Sequence, residues 1–250
     1  MSKKTDSNLY TLLFATGMVI VVGALLAFIA QTLKPTIDEN KRIEKQQNIL
    51  YAMGVNENDE SSAVFVADAE VGEEFKKYIT KQLVITNGTE TTEDENAYLI
   101  DIKKEQTNAK DGIERRLPLF IGEKDGKTFY VAPIRGKGLW DAVWAYVAMD
   151  ENMVVQGAYF DHKGETAGLG ANIKERYFMD DFIGEHLMDK SGNFAGIAIS
   201  KSNADPLNND KTDNEVDAIA GATITGDGVA AMIKSELRLY VPYFKTLKTN

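Results

Sequence analysis

The chain has 250 residues, 44% of them hydrophobic and 26% charged, and a formal net charge of -10. That length suits one globular domain with appendages, and the absence of cysteine excludes structural disulfides, thiolate zinc sites and cysteine-ligated iron–sulfur clusters. Residues 1–35 carry three lysines and one aspartate, leaving -12 on the remainder, and so acidic a body argues against a nucleic-acid partner.

No charged residue occurs between Asp6 and Lys34, and Tyr10 to Ala30 is almost wholly apolar. As a helix this stretch spans about 31 Å, enough to cross a hydrocarbon core of ~30 Å. It is longer than the apolar region of a signal peptide, and Gln31 to Pro35 lacks a small-residue cleavage site, so residues 1–34 are expected to be a retained transmembrane anchor. A polar juxtamembrane helix from Pro35 to Met53 and an acidic connector from Gly54 to Ser62 then lead to a body at 63–250.

In the body, Ala63 to Val66 is predicted as a strand, Phe75, Tyr78 and Ile79 mark a short helix, and Leu83 to Thr86 reads as a strand closed by an Asn87-Gly88 turn. Thr89 to Asn96 reads as a solvated loop, Ala97 to Ile102 as a strand, and Lys103 to Arg116 as an exposed run of mixed charge. Thr128 to Ile134 is a predicted strand, and Val143 to Met149 with Met153 to Phe160 forms a predicted hairpin. Asn172 and Glu175 resemble a capping box opening a helix through Tyr177, Phe178 and Phe182 to about Met188, with another strand from Phe194 to Ser200. Strands followed mostly by strands, with helices in the gaps, argue for an α+β fold with an antiparallel sheet. Asp205, Asp210, Asp213, Glu215 and Asp217 lack the spacing of a calcium loop and read as a surface loop.

Three stretches are dense in glycine: Arg135 to Trp140, His162 to Gly170, and Asp217 to Val229. Each alone reads as readily as a turn. In the third, the β-branched Thr223, Ile224 and Thr225 favour extended backbone, Gly226 and Gly228 suit a tight turn, and a helix is expected from Val229 to about Tyr240. Thr225 then sits at or near a helix N-terminus, as an ordinary cap or as a hydroxyl beside an anion site able to carry a phosphate ester.

The run Asp217-x-x-Ala220-Gly221-Ala222-Thr223-x-Thr225 resembles the flavinylation motif Asp-x-x-Ser-Gly-Ala-Thr-x-Thr of the FMN-binding domain in the C subunits of Na+-translocating NADH:quinone reductases and in their Rnf relatives. Ala220 replaces the usual serine, and Gly226 stands where a serine often follows. Gly136-x-Gly138-Leu139-Trp140 resembles the family's Gly-x-Gly-Leu-Trp segment, and His162 to Gly170 its His-x-x-Glu-Thr-Pro-Gly-Leu-Gly segment, with Ala167 in place of proline.

The resemblance implies FMN joined covalently by a phosphoester to Thr225, beside Gly221, Ala222 and Thr223, through a separate Mg2+-dependent flavin transferase. It places Glu165, Thr166, Gly168, Leu169 and Gly170 around the isoalloxazine, with Leu139 and Trp140 nearby. Trp140 reads equally as a core indole, and Lys201 as a solvated cation or a neighbour of the phosphate or flavin. The function implied is that of an electron-carrier subunit of a Na+-transporting NADH:ubiquinone reductase, relaying single electrons between the iron-bearing D/E subunits and the flavin of the B subunit. No catalytic triad or metal site is expected in this chain. The family places the body on the periplasmic side of the inner membrane. Counting Lys3 and Lys4 against Lys34, Lys41, Arg42 and Lys45 points the other way. An Rnf-type flavoprotein subunit is one alternative. The other is a flavin-free, membrane-anchored assembly module, which the Ala167, Ala220 and Gly226 departures favour.

Overall fold

The computed structural model describes residues 7–59, 62–201, 205 and 207–248. Contacts divide the chain into two units, Met1–Arg42 and Ile43–Asn250. Helix α1 runs from Asn8 to Ala52 with Pro35 inside it, so the expected juxtamembrane helix is a continuation of the apolar one. An 18-residue window of α1 reaches a mean hydropathy of 2.7, and its apolar side chains from Leu9 to Ile37 are exposed. By length and composition it suits a membrane span.

The second unit continues with α2 (Val71–Tyr78), β1 (Ile79–Thr86), β2 (Glu90–Glu93), α3 (Ile102–Lys110), β3 (Leu117–Lys124), β4 (Lys127–Lys137), β5 (Ala142–Met149) and β6 (Val155–His162). It ends with α4 (Arg176–Asp181), β7 (Ala198–Ser200), β8 (Glu215–Asp217), α5 (Thr223–Glu236) and α6 (Val241–Leu247). Six strands form one antiparallel sheet in the order β2-β1-β3-β4-β5-β6, and β7 pairs in parallel with β8. The fold is α+β with an antiparallel sheet, as the strand pattern implied.

Two tight turns set the early hairpins. Asn87 and Gly88 are both left-handed, with φ of 46° and 78°, and so are Asp125 and Gly126, with φ of 53° and 74°. Asp125-Gly126 joins the paired residues Lys124 and Lys127 by two residues, which is the hairpin that an Asp-Gly pair favours. Neighbouring side chains on a strand face opposite sides of the sheet. On β6, Tyr159 accordingly packs with Tyr51 and Phe65, while Phe160 packs with Phe178 and Phe182.

Several local expectations are corrected. Ala63 to Val66 forms no strand; it is tied down instead by the Gln47 side chain, which donates to the Val66 carbonyl at 2.8 Å. Ala97–Leu99 is a single 3₁₀ turn, after which the Asp101 carboxylate accepts from the Lys104 amide (3.2 Å) and caps α3. The solvated loop after Gly88 contains the exposed strand β2. In the mixed-charge run, Arg116 pairs with buried Glu105 at 2.7 Å and Arg115 pairs with Glu236, so these two arginines brace the body. Asn172 caps no helix. It lies in the 3₁₀ segment Gly170–Lys174, and α4 starts after Glu175 and stops at Asp181, short of Met188. The strand expected from Phe194 shrinks to β7. Asp210 and Asp213 are exposed, while Glu215–Asp217 is β8.

The largest local correction concerns residues 223–229. Thr223, Ile224 and Thr225 are the first turn of α5, after Ala222 as N-cap, and Gly226 and Gly228 lie within the helix. Their role is close approach. A Cβ on Gly228 would overlap the Lys137 carbonyl, one on Gly136 would meet Met232, and one on Gly226 would meet Ile199. Stripped of these side-chain atoms, α5 lies directly on the end of β4, and its N-terminus reaches the end of the sheet where β4 turns into β5 and β6 finishes.

Candidate functional site

At that end of the sheet the three glycine-bearing stretches meet. The β4–β5 connection is a turn in which the Gly138 amide donates to the Asp141 carbonyl at 2.8 Å. The segment after β6 is held to it by the Lys163 amide on the Ala142 carbonyl (2.9 Å) and by the Lys163–Asp141 ion pair (2.9 Å). His162 Nδ1 accepts from the Glu165 amide at 3.1 Å, which turns the chain and aims the Glu165 side chain inward.

Glu165 is the hinge of the arrangement and only 7% exposed. Its Oε1 accepts from the backbone amides of Trp140 (2.9 Å) and Asp141 (3.4 Å), and its Oε2 accepts from the Thr225 hydroxyl at 2.6 Å. Burial alone would raise this carboxyl, but the Thr225 hydroxyl and the amides of Trp140, Asp141 and Leu139 outweigh it and hold Glu165 below the usual carboxylate range. Thr225 is itself 1% exposed. Space for the pair exists because two neighbours lack side chains. A Cβ on Gly170 would run into Thr225 Oγ1 and stand 2.7 Å from Glu165 Oε2, and one on Gly138 would stand 2.6 Å from Glu165 Oε1.

Beside this pair lies a cleft of about 480 Å³, partly open to solvent, lined by Leu139, Glu165, Thr166, Leu169, Gly170, Gly221, Ala222, Thr223, Ile224 and Thr225. The Gly221 backbone is left-handed (φ 75°) and sits under Leu169, whose Cδ2 would be 2.8 Å from a Cβ there. Of the residues singled out from sequence, three do not line the cleft. Gly168 is an exposed residue of the loop with φ of 76°, and Lys201 is exposed beyond the end of β7. Trp140 is 67% exposed, which corrects the reading of a core indole, and its Nε1 donates to Thr166 Oγ1 at 3.2 Å. Ile224 lines the cleft without having been singled out; its place between two motif threonines was the available signal.

This geometry can be set beside known proteins. The FMN-binding domain family matches residues 138–238, which include every residue that lines the cleft. The C subunit of the Na(+)-translocating NADH-quinone reductase of Pseudomonas aeruginosa is 31% identical over 241 residues, covering 90% of this chain and 89% of the relative. The chain belongs to this C-subunit family. The corresponding subunit of Yersinia pestis is 32% identical, over 91% of this chain and 87% of its own. The crystal structure of the subunit from Parabacteroides distasonis superposes with a TM-score of 0.71 at 30% identity, covering 85% of this chain and 96% of that one.

As a member of the C-subunit family, the chain is part of an oxidoreductase complex and carries an FMN-binding domain. The lining of the cleft combines apolar side chains with the start of a helix. Leu139, Leu169 and Ile224 expose apolar side chains around the cleft. The first turn of α5 has no capping side chain, so its amides are left for an anion. Among the described residues no lysine or arginine lines the cleft, and Glu165 is the one titratable side chain that does.

Proposed function

We propose that this chain is the electron-carrying subunit of a Na+-translocating NADH:quinone reductase, with FMN esterified to Thr225 and single electrons passing between the iron-bearing D/E subunits and the flavin of the B subunit. Bound FMN supplies the one-electron chemistry, and the protein supplies position and surroundings. The observation that carries the reading is the placement of the Thr225 hydroxyl at the uncapped start of α5, on the wall of a cleft with apolar sides.

In this reading the α5 amides hold the phosphate, Leu169 and Leu139 cover the ring, and Thr166 with the loop amides meets its polar edge. Gly170 and Gly221 let the backbone come close, and Gly168 lets the loop turn. Trp140, tied to Thr166, holds that loop from outside. The chain is attached to the bacterial inner membrane by residues 1–34, with 35–62 leading to a body at 63–250 on the periplasmic face.

Protein made together with its flavin transferase should fluoresce as a band on a denaturing gel, and Thr225→Ala should abolish that fluorescence. Equal fluorescence in the variant would remove the attachment residue. Because the chain lacks cysteine, a single cysteine placed at exposed Glu151 reports the orientation. An impermeant maleimide should label it in intact spheroplasts, and labelling only after lysis would put the body on the inner face.

A further inference from the structure

We propose that Glu165 is the general base for esterification of Thr225, taking the hydroxyl proton on Oε2 as the phosphorus–oxygen bond forms and keeping it afterwards as a neutral acid. This rests on the reading that Thr225 is the attachment residue.

The hydroxyl is already aimed at the carboxylate, with Thr225 Oγ1 2.6 Å from Glu165 Oε2 and both side chains buried. That is within the range required of a base in place. The other carboxylate oxygen is fixed by the Trp140 and Asp141 amides, so Oε2 can turn to no other donor without breaking those bonds. Among the described residues no second acid or base lines the cleft. His162, the nearest histidine in sequence, uses Nδ1 on the Glu165 amide, and its Nε2 is buried without a partner.

The step balances with a flavin dinucleotide as co-substrate. The Thr225 Oγ1–phosphorus bond forms, and the anhydride phosphorus–oxygen bond breaks. The bridging oxygen leaves with the nucleoside monophosphate, and the Thr225 proton passes to Glu165.

Charge explains why the proton stays. Esterification puts an anionic phosphodiester where a hydroxyl donor had been, against a buried carboxylate and with no cation among the described residues lining the cleft. Two anions so close disfavour ionisation of the weaker acid. Before the reaction the hydrogen bonds keep Glu165 ionised and ready to accept. Once the Thr225 donor is consumed, its proton affinity rises.

The test is transfer from FAD to purified, unmodified full-length chain by its transferase, followed by intact mass. Glu165→Gln should slow attachment about a hundredfold near neutral pH. The ratio of wild-type to variant rate should shrink toward one as the pH falls through the Glu165 titration, and Glu165→Asp should restore part of the rate. A slowing of less than about tenfold, or a ratio that does not change with pH, would overturn the proposal. Wild-type protein gives a second readout that needs no variant. The infrared difference between FMN-bearing and unmodified protein at neutral pH should contain a protonated-carboxyl band, and its absence would overturn retention of the proton. If wild-type protein takes up no FMN at Thr225, the attachment reading itself fails. If it does so and Glu165→Gln matches it, only the role of Glu165 fails.

Discussion

Two buried glutamates at opposite ends of β6 have opposite fates. Glu165 follows the end of the strand and is met by a hydroxyl and several amides, which keep its carboxyl below the ordinary range. Glu185 is 0% exposed, and its carbonyl accepts from the Val155 amide (2.9 Å) at the start of β6. Among the described residues neither of its carboxylate oxygens has a hydrogen-bond partner in place, and Lys211 Nζ makes a loose ion pair at 3.5 Å. Burial pushes Glu185 up to about 7, only partly opposed by Lys211 and Asn208 and reinforced by the Asp213 charge. Burial is common to both, so the donors decide. A carboxylate supplied with donors from two other stretches belongs to a built site, whereas one left with a single lysine at 3.5 Å is a stability liability that changes with pH.

The largest expected effect comes from filling the space around Glu165. Gly170→Ala places a Cβ against both Thr225 Oγ1 and Glu165, so it should cost about 1–3 kcal/mol. It should also reduce FMN attachment in co-expressed protein, read by intact mass. Full attachment at unchanged melting temperature would show that the pair tolerates separation.

The second effect sharpens the contrast in pH. Glu185 holds its proton more tightly folded than unfolded, so the stability linked to it is complete below about pH 4.5 and declines as the pH rises through about 7. Glu165 works in the reverse sense. Its contribution is present above the ordinary carboxyl range and is lost as the pH falls through its depressed value. Glu185→Gln should therefore flatten the loss between pH 5 and pH 8 by on the order of 1–3 kcal/mol. Thermal melts at the two pH values check this, and an unchanged gap in the variant would place the titration elsewhere.

The smallest effect is expected at Trp140. Its ring is exposed and holds Thr166 by one hydrogen bond, so Trp140→Phe should shift stability by about 1 kcal/mol or less. A larger loss would mean that the indole packs more tightly than its exposure implies.

How far this was legible depends on the range of the interactions. The glycine spacings located all three stretches that form the cleft, because close backbone approach leaves a mark in composition. The Asp125-Gly126 turn was equally legible and passed unread, and with it β3, whose Pro118 discourages a strand assignment. Asp101 before α3 was a readable cap, although Ala97 to Ile102 looked β-like. At Thr223 to Thr225, β-branching suggested extended chain. The first turn of a helix has no preceding turn for a branched side chain to crowd, so that preference gave way to packing of α5 on β4. The Glu165–Thr225 bond joins residues 60 apart in the chain, and nothing local to either one announces it.

The central claim is that Thr225, held by Glu165, is where the flavin is attached. Peptide mapping of membrane-extracted protein made with its transferase tests this most directly. The tryptic peptide 212–234 should be heavier by one FMN less one water, and fragmentation should place that mass on Thr225. Unmodified peptide, or the added mass on Thr223, would contradict the account.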